Sequence, residues 1–507
     1  KSLNWTNNPL LILGISVTPS VKNLFECNFP QLLVKMQNLV DIWKMRDLTL
    51  YGKIIIAKSL LISQLIYKLS ILPDPGIEYM KAVNSLISKY LWGNKPPRLA
   101  KNVLMQPFDK GGMKHIDIKM MNLGLKIAWV KRILDESNFE LRSLASITIP
   151  YNDGLIWVAN LHQNDIGNLI NVKHQNIWIN ILRAWCEYNY SVPQTIEEIL
   201  SQSLWFNSFI RKQNKPFIEN NLFGLGLQYM YEIVGFDGKI KSAYDIGISS
   251  QDASLVLSYN QLVSAIPKTW KQILKNGQRD LGSINVNKEN LKLNINEIIV
   301  CGKIPRYICG KLVKKMPTDL SRKFKWEMDL STQIHEEDWF GYFNILYSST
   351  NNNKLKYFQY RLLHRILTSN IDRYNWNQID SNKCQLCGLQ PETYLHLFID
   401  CEYVKILWTK LFNWFARATQ LHYGIDSNLT KVGVILGIDI KNDLDRLLNN
   451  IILITKQYIY AVKCGNRQPN LNELYKRIYK QMLVDKHVAY KTNKIQGFNN
   501  KWGIIAW

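Results

Sequence analysis

Cys384, Cys387, His396 and Cys401 are the residues of this sequence best spaced to do chemistry together. Two residues separate the first cysteines, eight precede His396 and four more precede Cys401, so all four lie within 18 positions. A Cys-x-x-Cys knuckle brings two thiolates to one ion. The histidine and the last cysteine complete a tetrahedron from a following turn or helix. Three sulfurs and one imidazole suit Zn²⁺, and four protein ligands leave no open position, so the expected site is structural rather than catalytic. Gly388 and Pro391 supply turns in the intervening loop. The bland alternative is a chance cluster with Cys387 and Cys401 as buried core thiols. Cys27, Cys186, Cys301, Cys309 and Cys464 are expected to be inert core residues, with a Cys301–Cys309 pairing the weaker possibility. Eight cysteines in 507 residues make no disulfide framework.

No catalytic constellation accompanies the cluster, and no catalytic residue is assigned. The sequence shows no Asp-Asp pair in a strand–turn–strand setting and no Walker lysine loop. His335-Glu336-Glu337-Asp338 lacks the second histidine of a zinc-protease helix and reads as an acidic helix start. What remains is directed at phosphate. The chain has 63 Lys+Arg against 40 Asp+Glu, a net charge of +23. Nucleic acid is the usual partner of so basic a protein, with an anionic membrane surface second. Between Lys35 and Arg132 stand 17 basic and 6 acidic residues, a net of +11. Within that block Lys44, Arg46, Lys53 and Lys58 are the candidate backbone contacts, with Lys95, Arg98 and Lys101 behind them. Gly111-Gly112 would let a loop approach a phosphate closely, although a plain tight turn is the favoured reading of the pair. A second ridge, Lys354, Arg361 and Arg365, lies beside Leu355, Phe358, Leu362 and Ile366 on a helix expected over 354–368. For each of these cations, solvated surface is the alternative.

The elements that must position these residues are mostly helices. A hairpin is expected in residues 1–20, with Asn7-Asn8-Pro9 as its turn and Gly14 inside the apolar strand Leu10 to Val17. Thr49 is a plausible N-cap for a long helix through Ile71, ended by Pro73 and Pro75. Further helices are expected at Ala82 to Leu91, Met120 to Leu134, 339–368, 430–463 and 471–490. Lys110-Gly111-Gly112 is a turn. Residues 136–330 are hard to read beyond recurrent tryptophans (Trp157, Trp178, Trp185, Trp205, Trp270). The most apolar stretch, Ile54 to Leu72, carries Lys58 and Lys68, too costly for a bilayer span. It would permit a basic scaffold on anionic membranes, but that would leave the zinc cluster unexplained, so no membrane partner is expected. Residue 1 is Lys, so the expected start is inside a longer reading frame or after processing.

Residues 43–75, WKMRDLTLYGKIIIAKSLLISQLIYKLSILPDP, resemble the thumb of LINE-type non-LTR retrotransposon reverse transcriptases. The resemblance continues through Asn84, Tyr90-Leu91-Trp92-Gly93, Lys95, Lys110-Gly111-Gly112-Met113 and Trp129-Val130-Lys131-Arg132. Leu13-Gly14-Ile15 resembles that family's primer-grip hairpin. Cys384 to Trp408, with Glu392-Thr393 ahead of His396, is similar to its C-terminal zinc knuckle. The tail from Ile451 through Phe498 to Lys501-Trp502 is similar to its C-terminal end. The resemblance covers 36–135 and 340–410 best.

The resemblance implies a mainly α fold with an N-terminal β-hairpin, a helical thumb and an elongated, mostly helical C-terminal domain bearing a small zinc knuckle. The implied parts are 1–35, the end of the palm with the primer-grip-like hairpin; 36–135, the thumb; 136–338, a mostly helical linker and C-terminal domain; 339–380, a basic helical segment; 381–410, the CCHC knuckle; and 411–507, terminal helices. In that family the catalytic carboxylates and their Mg²⁺ belong to the palm, upstream of the primer grip. The chain is therefore expected to be the gripping half of an RNA-directed DNA polymerase, inactive alone. It would hold the element's RNA and primer or target DNA during target-primed reverse transcription, in the cytoplasm and nucleus. Palm and fingers would be supplied in cis or as another segment. The other reading is a stand-alone zinc-knuckle RNA-binding protein derived from such an element.

Overall fold

The structure, a computed structural model, describes residues 8–20, 23–93, 95–135, 137–146, 160–166, 177–277, 293–419 and 431–505. Asn7 and Trp157, named above, lie outside the described residues. The chain is mainly α, with two small two-stranded hairpins among the described residues. It divides into two compact units. One comprises Lys1–Trp43, Lys58–Ile87 and Ile116–Leu312, and the other Lys44–Ala57, Ser88–His115 and Val313–Trp507. Residues 36–135 contribute to both.

In the first unit, strands Leu10–Ile12 and Ile15–Val17 pair antiparallel, Ile12 opposite Ile15. The turn is therefore Leu13-Gly14, not Asn7-Asn8-Pro9. Both turn residues have positive φ, at 49° and 79°, the backbone hand that matches strand twist in a two-residue hairpin. Asn28 braces this hairpin: its Oδ1 accepts from Ser16 N–H at 3.0 Å and its Nδ2 donates to Ser16 O at 2.8 Å.

The illegible middle of the sequence builds this unit's core. Helix Ile118–Leu134 packs against Ile177–Asn189. Trp185 and Trp205 are fully buried, with Leu161, Phe217, Tyr259 and Trp270 in the same cluster. Lys126 is also buried here, and its ammonium does structural work. It donates to Leu69 O at 2.8 Å and Leu72 O at 2.6 Å and lies 3.5 Å from Asp74. The carbonyls that a helix leaves open at its C-terminus are thereby satisfied at the end of Ser63–Ile71. Burial lowers the pKa of Lys126, and Asp74 opposes that shift.

The long helix Leu50–Ile71 begins as expected at Thr49, whose Oγ1 accepts from Gly52 N–H at 3.2 Å. It includes a π-helical turn at Ala57–Ile62. By length and composition alone this helix is apolar enough to cross a membrane. Leu50, Ile54, Ala57, Leu61, Leu65 and Leu69 are all buried along one stripe, the pattern of a core helix. The next helix, Ile77–Trp92, starts five residues earlier than expected and ends at Gly93, where φ is +63°.

In the second unit Gly111 and Gly112 of the Lys110-Gly111-Gly112 turn are buried, while Lys110 is exposed. Tyr360 Oη donates to Gly111 O at 3.1 Å, and His364 Nε2 lies 2.8 Å from the same oxygen. Burial lowers the His364 pKa to about 4, so the ring stays neutral. A Cβ at Gly111 would meet the Phe343 ring at 2.8 Å, and one at Gly112 would sit 1.8 Å from Gln106 O. Packing, not phosphate, dictates both glycines. Gly112→Ala should destabilise this unit by about 2–3 kcal/mol, since backbone has to move to admit the methyl. Gly341→Ala is the control. It lies inside helix Glu336–Ser349 with nothing within 4 Å of the added Cβ, and alanine there should stabilise by up to about 1 kcal/mol. Denaturant midpoints check both.

Candidate metal centre

The four ligands stand on a short bridge, a loop, a π-helical turn and a helix start. Lys383 and Pro391 form an isolated antiparallel bridge that closes the knuckle loop. Within it Cys384 N–H donates to Gln390 O at 2.7 Å, and Gly388 N–H donates to Cys384 O at 2.8 Å. Gly388 has φ +69°, the left-handed turn that lets the chain reverse after Cys387. His396 opens the π-helical turn His396–Asp400, its N–H donating to Thr393 Oγ1 at 2.9 Å. Cys401 directly precedes helix Glu402–Thr419. Its thiolate gains from the backbone N–H groups of Tyr403 and Val404 and from the positive end of that helix.

One donor atom from each of Cys384, Cys387, His396 and Cys401 lies within 4.8 Å of the others. Cys387 Sγ and His396 Nε2 are 3.3 Å apart. A tetrahedral zinc with Zn–S near 2.3 Å and Zn–N near 2.0 Å has ligand–ligand edges of roughly 3.5–3.8 Å. The side chains therefore need only small adjustments to close on an ion. The thiol electrostatics agree. Cys384 and Cys401 share one hydrogen bond, which pushes Cys384 up and pulls Cys401 down. Burial adds to the rise at Cys384, whereas the Leu386 and Cys387 N–H groups favour its anion. Burial also lowers the His396 pKa, keeping the imidazole in the neutral form that ligates metal. Four protein donors fill a tetrahedron, so bound zinc would cross-link the loop and offer no position to a reacting water.

Residues 323–408 match the model of a protein family described as zinc-binding in reverse transcriptase. The chain thus carries a reverse-transcriptase-associated zinc-binding region, and its Cys₃His cluster fits a structural zinc. The region is larger than the knuckle. It starts in helix Ser321–Leu330 and reaches Trp408, whose indole Nε1 donates to Phe398 O at 2.8 Å. Buried Trp326 donates to Leu363 O at 2.9 Å and packs beside Tyr394.

The basic candidates fare differently. The helix expected over 354–368 stops at Leu363, and Arg365 follows with φ +56°. Arg365 therefore leaves the ridge. It pairs with Asp329 and lies 4.5 Å from the Trp326 ring centroid and 5.1 Å from that of Tyr394. Arg361 is half-buried over the Tyr357 ring, which leaves only Lys354 exposed. Lys53 is half-buried and donates to Leu91 O at 3.4 Å, and Arg98 donates to Ile366 O at 3.1 Å. Lys44, Arg46, Lys95 and Lys101 are exposed, whereas Lys58 is half-buried. Of the remaining cysteines Cys186 is buried and Cys464 is exposed; Cys301 and Cys309 carry free thiols. The exposure of Cys464 follows from its place at the C-terminal end of helix Asp443–Cys464.

Sequence reasoning missed Glu392 and Lys463 as working residues. Both are buried and their charges are 2.9 Å apart. The Glu392 carboxylate also accepts from Gln385 N–H at 3.0 Å, inside the knuckle, and from Asn370 N–H at 2.8 Å. Lys463 donates to Thr368 O at 3.1 Å. The signal for Glu392 was its place immediately ahead of Thr393-x-x-His396 in the family-like stretch. Lys463 gave none, because a lysine in the last turn of an amphipathic helix reads as surface.

Proposed function

We propose that this chain is the nucleic-acid-gripping C-terminal portion of a LINE-type retrotransposon reverse transcriptase. It would hold template RNA and primer or target DNA during target-primed reverse transcription. One observation carries the reading: a closed Cys₃His cluster seated in a region that matches reverse-transcriptase zinc-binding sequences. The net charge of +23 supports a polyanionic partner. A structural zinc suits that role because phosphate contacts position a strand without reading it, and the surface presenting them has to be rigid. Lys44, Arg46, Lys95 and Lys101 are exposed thumb-like cations that would make such contact.

The test is binding of the full chain to a labelled RNA–DNA primer–template between 50 and 200 mM salt. Affinity should fall steeply and linearly on a log–log plot. Substituting Lys44, Arg46, Lys95 and Lys101 by Gln should weaken binding about equally across template sequences. Absence of binding, or affinity indifferent to salt, would overturn the reading.

A further inference from the structure

A basic ridge beside an aromatic one exists in the second unit, on the helix Leu471–Lys491 rather than on Asn353–Leu363. Leu474, Ile478, Gln481, Met482 and Ala489 are its buried face. At 100° per residue, Lys476, Lys480, His487 and Lys491 fall within one 60° sector on the opposite side. Tyr479, Leu483 and Tyr490 fill the adjoining sector and are 47%, 45% and 61% exposed. Lys486 flanks them, and Lys494 extends the line past the helix end; all five lysines and His487 are exposed.

The acids of this helix do not neutralise that face. Glu473 is occupied by Arg477 at 3.2 Å and Arg467 at 3.5 Å. Asp485 accepts from the Trp502 indole at 2.9 Å and lies 3.5 Å from Lys501. The Asp485 side chain is only 10% exposed, and Glu473 is engaged by its two arginines. The helix is also tied to the knuckle. Helix Glu402–Thr419, which Cys401 begins, packs on it, with Trp414 and Tyr475 rings 4.9 Å apart.

We infer that the exposed face of Leu471–Lys491 is a binding track for single-stranded nucleic acid, braced by the metal centre. The ridge from Lys476 to Lys491 runs about 22 Å at 1.5 Å per residue, long enough to follow several successive phosphates. The exposed Tyr479 and Tyr490 beside the ridge offer rings on which unpaired bases stack, the combination used by proteins that bind single strands without reading sequence. A lipid surface is a poorer fit, because the stripe of Leu474, Ile478 and Met482 is already buried in the unit and the exposed Leu483, Val484 and Val488 lie to either side of the lysine ridge rather than forming one apolar face. The inference deepens the function proposed above and rests on it.

The experiment uses the full chain and a fluorescent oligo(U) RNA, with heparin and anionic phosphatidylserine vesicles as competing probes. Substituting Lys476, Lys480, Lys486, Lys491 and Lys494 by Gln should lower RNA affinity at least tenfold at 100 mM salt. It should also flatten the log K against log salt slope by about 3. Tyr490→Ala should weaken RNA binding several-fold and leave heparin binding unchanged, as base stacking requires. Melting temperatures within about 2 °C of the parent confirm intact folding of these surface variants. If the parent binds RNA and the five-lysine variant binds it equally with the same salt slope, this track is wrong while the broader reading stands. If the five substitutions abolish vesicle binding and spare RNA, the track is wrong in its ligand. A parent that binds no nucleic acid overturns the functional reading and this inference together.

Discussion

Cys401→Ser should empty the metal centre, from about one zinc per chain to a residual trace, and should abolish cooperative folding of the zinc-binding region. The size of the effect follows from the arithmetic of structural zinc. Its apparent binding free energy is about 10–16 kcal/mol near neutral pH, comparable to the whole stability of a domain at about 5–15 kcal/mol. Serine is a chosen replacement. Position 401 directly precedes helix Glu402–Thr419, and serine is a good helix N-cap. Capping is therefore preserved and the sulfur alone is lost. Elemental analysis of the purified chain gives the stoichiometry, and limited proteolysis with and without a chelator reports folding. A Cys401→Ser protein that retains its zinc, or whose melting matches the parent, would show the cluster to be four unconnected core residues.

The metal centre was legible because its signal is local. Four ligands within 18 positions need only a turn and a helix start to meet, and Gly388 with a positive φ is that turn. Long helices were legible for a related reason: Thr49 and the Pro73–Pro75 pair are punctuation that acts within one turn of chain. Misreadings arose where distant partners decide. The pattern over 354–368 has helical periodicity to its end, yet Arg365 is drawn out of register by Asp329, Trp326 and Tyr394. Gly111 and Gly112 read as a tight turn open to a phosphate, whereas Phe343 and Gln106 close around them. The middle of the chain was opaque because its tryptophans mark burial without saying against what. Trp185 and Trp205 find each other's neighbourhood only in three dimensions.

Lysines show the same limit most sharply. Sequence alone assigns every lysine to solvent, and most belong there. Lys126 instead closes the end of a helix, and Lys456, fully buried, donates to Gln359 Oε1 at 2.7 Å and Ile435 O at 2.9 Å. Burial lowers the pKa of both. Charge counted along the chain therefore overstates what is available to phosphate. The ridge on Leu471–Lys491 escaped notice for the converse reason. Its lysines are ordinary in number, and only the pairing of Glu473 with Arg477 and Arg467 and the burial of Asp485 against Trp502 and Lys501 set them apart.

The second large effect is expected at a residue that touches no metal. Glu392→Leu should cost about 3–5 kcal/mol, because it strands the ammonium of Lys463 in the interior and leaves two N–H groups without an acceptor. Both side chains are almost wholly inaccessible, at 5% for Lys463 and 0% for Glu392. The carboxylate is saturated by Lys463, Gln385 N–H and Asn370 N–H, so no single lost contact accounts for the penalty. Lys463→Met should cost less, about 2–3 kcal/mol, since two N–H donors still satisfy the carboxylate. In the double variant Glu392→Leu/Lys463→Met no buried charge is left over, and its cost should fall short of the sum of the singles by at least about 1 kcal/mol. Additive costs would mean the pair is not coupled. Zinc affinity separates this account from simple packing loss. Gln385 lies between the first two cysteine ligands, and Glu392 fixes its N–H, so the knuckle should hold zinc about 10- to 100-fold more weakly in Glu392→Leu. Lys463→Met leaves that N–H bond in place, so its zinc affinity should stay close to that of the parent chain. A carboxylate that anchors both a helix end and a metal loop makes the two fold as one, and stability lost at Glu392 should therefore appear also as metal released.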